Sequence, residues 1–235
     1  MSYVYLSGCE TTRFHIASQK TLSGVEGLTT VSFLIFASRM ARIKSSDTTS
    51  RREIIKTEAA LLIRQKGFKA ASMRDIATRV GVEAASLYNH ISSKSELLQS
   101  ICFSVAHRFM LKMEEVENRQ VPVLQKIEIL LRYHINEMIN HYEEVYVSDR
   151  EWRHLGEPYL SDYQELRRSY RKRFTALIEH GINQKEIKAI DAPTAVLIVL
   201  HAIGGIESWH RSKQKISTIE LENNMITILI DGLKN

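Results

Sequence analysis

Cysteine, proline and glycine are all scarce in this chain, with 2 Cys, 3 Pro and 10 Gly among 235 residues. Cys9 and Cys102 lie far apart without metal-ligand spacing, which argues against a disulfide framework and against a zinc ribbon. The cytoplasm, a reducing compartment, is therefore the expected location. Because turn-forming residues are few, long stretches keep a 3.6-residue apolar periodicity, and the sequence predicts an all-α fold.

Catalytic signatures are lacking as well. The sequence has no Gly-rich phosphate loop, no nucleophile elbow and no Cys/His arrangement above chance, so we predict no catalytic residues, no metal site and no cofactor. A helical metal-dependent enzyme using His134, Glu137 and His141 is kept as an alternative, and a protein-interaction scaffold is another. Glu151 and His154 have the spacing of a di-iron helix motif, but the second copy that such a site needs is missing.

Apolar runs long enough to cross a membrane are not expected either. Val31–Ala37 is too short, and the apolar segment 195–206 is short and interrupted by Gly204 and Gly205. Since this segment is apolar nearly all the way round, we expect it to be covered by its own domain and by a partner subunit. The segment 217–233 is also apolar on one face. The two segments together suggest the four-helix interface of a homodimer, with an ordinary monomeric core as the alternative.

The N-terminal residues 1–47 are predicted to be a leader that is disordered or that comes from an upstream start codon. They mix Gly, Ser and Thr and lack helical periodicity, and Met40 precedes the first clear helix. A targeting segment is the alternative, but the order of charged and apolar residues typical of a signal peptide is absent.

Positive charge is concentrated in one part of the sequence. The formal net charge is +5, yet residues 39–94 alone carry 12 Lys and Arg against 5 Asp and Glu. A basic segment joined to a near-neutral remainder is typical of a nucleic-acid-binding head on a ligand-binding or dimerising body. A merely solvated basic surface would have the same composition.

Helix starts are marked by a serine followed three residues later by an acid or amide, the pattern of the capping box. The pairs are Ser50/Glu53, Ser72/Asp75, Ser93/Glu96, Ser161/Gln164 and Ser217/Glu220. Amphipathic runs follow them, and a further apolar stripe runs without interruption from Leu124 to Val145. The first helix is predicted to end at Gly67, and the helix after Ser161 at Gly181.

The most informative stretch is SMRDIATRVGVEAASLYNH, residues 72–90. Its spacing predicts two short helices that meet at Gly81. Ile76, Ala77 and Val80 are expected to face inward on the first helix, and Leu87 to anchor the second. The outward side chains of the second helix are then Glu83, Ala84, Ser86, Tyr88, Asn89 and His90. Short side chains followed by hydrogen-bonding ones suit a helix that enters the DNA major groove.

This stretch and its flanks, residues 50–100, resemble the DNA-binding head of the tetracycline-repressor (TetR) family. The resemblance implies that Tyr88 and Lys94 contact phosphates, that Ser72 caps its helix, and that the side chains nearest the bases are Ala84, Ser86, Asn89 and His90. Arg74 completes the predicted DNA-binding set. Family members commonly carry aromatic residues where this chain has His90 and Ile91, and often Ser or a basic residue where it has Glu83 and Ala84.

The C-terminal part resembles the TetR subgroup that senses fatty-acyl-CoA and related thioesters. This resemblance implies a small hydrophobic effector, and the apolar helix faces after residue 122 are compatible with a hydrophobic pocket. The predicted effector-binding residues are Met138, Tyr142, Trp152, Tyr170, Phe174 and Trp209. The basic cluster Arg167, Arg168, Arg171, Lys172 and Arg173 is either a phosphate site or a solvated helix face.

We therefore expect a leader (1–47), a three-helix helix-turn-helix head (48–95) and an antiparallel helical ligand-binding and dimerisation domain (96–235). The expected partners are double-stranded operator DNA, a small-molecule effector and a second copy of the chain, with no membrane. The expected function is that of a ligand-responsive transcriptional repressor.

Overall fold

The computed structural model describes residues 46–213 and 216–235, with side chains from residue 51 onward. The helices are α1 (Ser46–Lys66), α2 (Met73–Val80), α3 (Ala84–Tyr88), α4 (Lys94–Glu117), α5 (Val123–Asn140), α6 (Tyr142–Arg150), α7 (Tyr159–Asn183), α8 (Ala192–Gly204), α9 (Ile206–Arg211) and α10 (Thr218–Leu233), with one 3-10 turn at Trp152–His154. The all-α prediction, with a helix-turn-helix head and a helical C-terminal domain, is confirmed. The predicted leader falls, up to residue 45, outside the described residues.

The predicted serine caps are partly confirmed. In three of them the serine side chain accepts a hydrogen bond from the backbone N–H three residues on: Ser72 from Asp75, Ser93 from Glu96 and Ser217 from Glu220. The caps predicted at Ser50 and Ser161 are wrong, because both serines lie inside helices that begin earlier. The helix that contains Ser161 starts directly after Pro158, whose ring restricts φ to values compatible with a helix start.

Two predicted helix ends also differ from the structure. The stripe from Leu124 to Val145 is broken into α5 and α6 at His141, whose φ of −124° and ψ of 33° leave the helical region. Gly181 does not end α7 but lies buried within it. A Cβ at this position would lie 2.5 Å from the Ile187 side chain, so a larger residue would not fit. That glycine allows close packing and does not terminate the helix.

The long helix α4 connects the N-terminal helices to the rest of the protein. It packs against α6 and α7 and also contacts α1 and α5, while α1 packs directly on α6. On the other side α8 packs against α7, and α10 packs against α5. A buried hydrophobic cluster lies among the helices from α4 onward and includes Met113, Ile127, Leu131, Phe174 and Val199.

Two C-terminal helices carry large apolar side chains on the surface. Leu197 and Ile198 on α8 are 57% and 60% exposed, and Ile219 and Ile228 on α10 are both 71% exposed. Among the described residues, Ala192–Arg211 is long and apolar enough to cross a membrane, with a mean hydropathy of 1.3, so the argument that this segment is too short is wrong. This is weak evidence for a span, since 33% of the window is buried and core helices of soluble proteins pass the same test.

Candidate functional site

The helix pair α2–α3 forms around a small buried contact. Ile76 and Leu87 are fully buried, and Ala77 is 2% exposed. Gly81 ends α2 with a φ of 75°, a left-handed conformation that side chains with a Cβ rarely adopt. Ile76, Ala77 and the turn glycine are thus in the predicted places, whereas Val80, which was also predicted to face inward, is half-buried.

The start of α2 is fixed by a complete capping box. The Ser72 hydroxyl accepts from the Asp75 N–H at 3.1 Å, and the Asp75 carboxylate accepts from the Ser72 N–H at 3.0 Å. The Ser72 hydroxyl also donates to the Asp75 carboxylate at 2.8 Å. This hydrogen bond, the one from the Ser72 N–H and the nearby Lys66 ammonium hold the pKa of Asp75 below its usual value. The predicted capping role of Ser72 is confirmed.

The other predicted DNA-binding residues differ in how far they reach into solvent. The side chains of Arg74, Ser86, Tyr88 and Asn89 are exposed, whereas those of Ala84, His90 and Lys94 are half-buried. Tyr88 is 53% exposed, which is high for an aromatic side chain. Around α3 the chain therefore presents several polar groups outward, where an external partner can reach them.

The Lys94 side chain makes contacts within the protein that the sequence did not predict. Its ammonium donates to the carbonyl oxygens of Phe68 and Ala71, both at 2.7 Å, and lies 4.5 Å from the centre of the Phe68 ring. These contacts tie the start of α4 to the loop between α1 and α2. The phosphate contact proposed for Lys94 stays a prediction, while its part in holding this loop was missed.

The basic residues of the head are mostly paired. Within residues 51–94 the ion pairs are Arg52–Glu96, Lys56–Glu53, Arg64–Glu143, Lys66–Asp75 and Arg79–Glu58. Over the same described residues, Arg51, Lys69, Arg74 and Lys94 make no ion pair with the chain, and the ammonium of the last is bound to carbonyl oxygens. The cations left for an external anion are thus fewer than the net charge of the segment indicates.

In the C-terminal helices, two predicted effector residues belong to one aromatic cluster. Tyr170, whose hydroxyl lies 2.6 Å from Nε2 of His134, sits next to Phe174. The His134 ring stacks on Phe109 with 4.4 Å between ring centres. Burial lowers the pKa of His134 to about 3, so the ring is neutral at physiological pH. The cluster is apolar, with one hydrogen-bonded polar pair inside it.

The remaining predicted effector residues lie outside this aromatic cluster. Met138 and Tyr142 still belong to the same buried hydrophobic core as Tyr170 and Phe174, and Trp209 packs against that core. Tyr142 stacks on His210, whose Nε2 donates to the Met138 carbonyl at 2.8 Å. Trp209 neighbours His210, and its indole N–H donates to the Ile216 carbonyl. Trp152 stands apart, with the guanidinium of Arg153 4.6 Å from its ring centre and that of Arg167 at 5.5 Å.

Two open hollows of about 390 and 350 Å³ lie elsewhere on the surface. The first lies between the end of α7 and the start of α8, and the second lies on α1. Neither is lined by any of the six predicted effector residues. The predicted effector site therefore stays a prediction.

The basic cluster on α7 is largely engaged with acids. Arg167 pairs with Asp149, Arg168 with Glu165 and Arg173 with Glu117. Arg171 and Lys172 are exposed. The pairs favour the interpretation of the cluster as a solvated helix face over that of a phosphate site.

The three residues of the metal-enzyme alternative do not converge. His134 faces Tyr170, Glu137 binds Arg108, and His141 is exposed. Glu151 and His154 contact each other at 3.3 Å, in line with their spacing. Within the described parts of the chain, no group of three or more His, Cys, Asp or Glu side chains is placed to hold a metal ion.

Comparison with protein families gives two adjoining matches. A model described as "Bacterial regulatory proteins, tetR family" matches residues 55–101, and one described as "Tetracyclin repressor-like, C-terminal domain" matches residues 120–233. Together they cover well over half of the chain.

Curated relatives align over most of their length. The Fatty acid metabolism regulator protein of Bacillus subtilis (strain 168) is 21% identical over 179 residues, which are 75% of this chain and 92% of that protein. The HTH-type transcriptional repressor KstR2 of Mycobacterium tuberculosis (strain ATCC 25618 / H37Rv) is 19% identical over 196 residues, covering 83% of this chain and 98% of the relative.

Solved structures share the fold. That of the ketosteroid transcriptional regulator KstR2 of Mycobacterium tuberculosis superposes with a TM-score of 0.73 at 18% identity, covering 83% of this chain and 97% of that one. AibR in complex with isovaleryl coenzyme A and operator DNA gives 0.67 at 20% identity, covering 77% and 98%.

Proposed function

This chain belongs to the TetR family of bacterial regulators, and from that premise we propose that it is a cytoplasmic repressor that binds a palindromic operator and leaves it when a small hydrophobic effector binds. The exposed polar row on α3 is the observation that carries the proposal. The side chains of Ser86 and Tyr88 on this short helix, and of Asn89 at its C-cap, are exposed, while the buried Leu87 side chain anchors the helix to the protein. A helix presented in this way suits major-groove reading.

The proposed effector is a fatty-acyl-CoA or a similar acyl thioester. The relatives named above include a fatty acid metabolism regulator and a neighbour bound to isovaleryl coenzyme A. In this chain the support is the aromatic cluster around His134 and Tyr170, which offers apolar surface and two polar atoms. A ligand that binds there must displace packed side chains, so that binding favours a second arrangement of the helices.

The proposed assembly is a homodimer formed by α8 and α10. Their exposed side chains Leu197, Ile198, Ile219 and Ile228 would leave water on association, which stabilises a complex by the hydrophobic effect. A two-fold dimer matches a two-fold operator. For the domains we propose a head of residues 48–95 and a ligand-binding and dimerisation body of residues 96–235.

The first experiment is DNA selection from a randomised duplex library, followed by a gel-shift titration of the selected duplex with acyl-CoAs of increasing chain length. We expect palindromic duplexes to be enriched and an acyl-CoA to weaken binding. Free coenzyme A is the control for the acyl chain. If no duplex is bound at moderate salt, the proposed function is wrong. If binding occurs but no acyl-CoA releases it, only the effector assignment is wrong.

Two head variants separate positioning from reading of the sequence. Tyr88→Ala is expected to weaken binding to all duplexes alike, because a phosphate contact carries no sequence information. Asn89→Ala is expected to relax the preference at one position of the half-site, by about 1–3 kcal/mol of discrimination. Gel shifts on the selected duplex and on single-position variants measure both. Equal loss of discrimination in the two variants would contradict the assignment.

A further inference from the structure

A column of three side chains joins helices that are far apart in the sequence. Tyr142, the first residue of α6, stacks on the His210 ring of α9 with 4.0 Å between ring centres and 11° between planes. The guanidinium carbon of Arg64, in the last turn of α1, lies 5.3 Å from the centre of the same Tyr142 ring. One tyrosine thus contacts both the first helix of the chain and a helix near its C-terminus.

Each member of the column is held by a second contact. Tyr142 is 4% exposed, and the His210 Nε2 donates to the Met138 carbonyl at 2.8 Å. The Arg64 Nε lies 3.6 Å from a carboxylate oxygen of Glu143. This contact of Arg64 is an ion pair without a hydrogen bond from Nε. Because packed side chains have few alternative positions, a displacement of one member displaces the next.

The two ends of the column lie on functionally different parts of the protein. Only Gly205 separates α9 from α8, which carries the exposed Leu197 and Ile198 of the proposed dimer interface. At the other end, α1 packs against α2 of the helix-turn-helix. Arg150 and Glu207 make a parallel contact between α6 and α9 at 3.1 Å, but Arg150 is largely solvated, and a solvated ion pair constrains little.

We propose that Arg64, Tyr142 and His210 are positioning residues that hold the DNA-binding head in a fixed place relative to the helices at the subunit interface. In a dimer this contact sets the separation of the two heads, and with it the match to both half-sites of an operator. The inference rests on the proposed function and goes beyond it by naming the contact through which the interface acts on the head.

Affinities for a full site and for a half site distinguish this role from simple folding. The probes are the palindromic duplex selected with the wild-type protein and the same duplex with one half scrambled. His210→Ala is expected to weaken full-site binding by about tenfold, within the usual range of coupling between sites, and to leave half-site binding unchanged. His210→Phe keeps a ring on Tyr142 and is expected to restore most of the full-site affinity. Ser208→Ala, on an exposed position of the same helix, is the matched control.

Other outcomes overturn the inference. Equal weakening on both duplexes would mean that His210 only supports folding, and no change on either would mean that the column transmits nothing. Hydrogen exchange provides a readout without DNA: His210→Ala should speed exchange in the last turn of α1, and His210→Phe should not. If the wild-type protein binds no duplex, the proposed function fails, and the exchange result alone decides whether the column links α9 to α1.

Discussion

Polar side chains are arranged in opposite ways around α3 and at the junction of α4, α5 and α6. On α3 and its ends, Ser86 and Asn89 are exposed, and within the described chain their side chains make no hydrogen bond. At the junction, Glu137 and Glu144 are 4% and 8% exposed, and both accept hydrogen bonds from Arg108 at 3.0 Å. One region leaves its polar groups to water, while the other pairs them inside the protein.

This difference separates residues available to a partner from residues that determine the fold. An exposed amide or hydroxyl is solvated at little cost until a partner replaces the water. A buried carboxylate without a partner is expensive, so its pairing constrains how the helices meet. The junction should therefore govern stability and the α3 surface should govern recognition, and three measurements test this division.

The largest expected effect comes from Arg108→Met. This change leaves Glu137 and Glu144 buried without their cation, and breaking such a pair from one side typically costs about 3–5 kcal/mol in the free energy of unfolding. Urea denaturation followed by circular dichroism measures it. The control is Arg168→Met, because the Arg168–Glu165 pair is exposed on both sides and should contribute at most about 1 kcal/mol. Similar losses in the two variants would remove the basis of the comparison.

A second, smaller effect should appear as a dependence of stability on pH. Burial lowers the pKa of His134 to about 3, whereas the pKa of a histidine in an unfolded chain is about 6.5. Between these values the unfolded state binds a proton that the folded state excludes. As the pH is lowered below about 6.5, the free energy of unfolding should therefore decrease, and this residue should account for about 1.4 kcal/mol per pH unit.

Comparing unfolding curves of the wild type and of His134→Gln at several pH values isolates this contribution. The variant should lose part of the slope between pH values of about 6 and 4. His180→Gln is the control, since His180 is exposed on α7. An unchanged slope in His134→Gln would show that this histidine is accessible to protons and that it behaves like the solvated polar groups around α3.

The helix-turn-helix could be predicted from the sequence because its determinants are local. Ile76, Gly81 and Leu87 lie within a dozen residues, and glycine at the turn meets a conformational need that the φ of 75° makes explicit. The starts of α2 and α4 follow equally from nearby caps at Ser72 and Ser93. Short-range rules suffice where each residue's partner is a near neighbour in the chain.

The junction and the core could not be predicted in the same way. Arg108 finds Glu137 29 residues later, and the Lys94 ammonium reaches back to the carbonyl of Phe68. Such contacts depend on how helices pack, which periodicity does not specify. For the same reason the sequence, which grouped Trp152 with Tyr170 through the resemblance of the C-terminal part, did not predict that in this conformation the two side chains lie in separate aromatic clusters.

The smallest expected effect concerns Glu83, the exposed acid at the N-cap of α3. Its carboxylate makes no capping hydrogen bond, and on a DNA-facing surface it would lie near phosphates. Glu83→Gln removes this repulsion and should tighten binding to every duplex by about fivefold, the factor that corresponds to two unit charges about 4 Å apart in water. Gel shifts on the selected duplex and on an unrelated one measure the change.

The matched control for Glu83→Gln is Glu179→Gln, which removes the same charge from an exposed position on α7. If it tightens binding equally, the effect comes from overall charge and says nothing about α3. A weaker complex for Glu83→Gln on the selected duplex alone would mean that the carboxylate accepts a hydrogen bond from a base, as acids do from the amino group of cytosine. Glu83 would then join Asn89 among the residues proposed to read sequence, because a hydrogen bond to the correct base would offset the repulsion between its carboxylate and the phosphates.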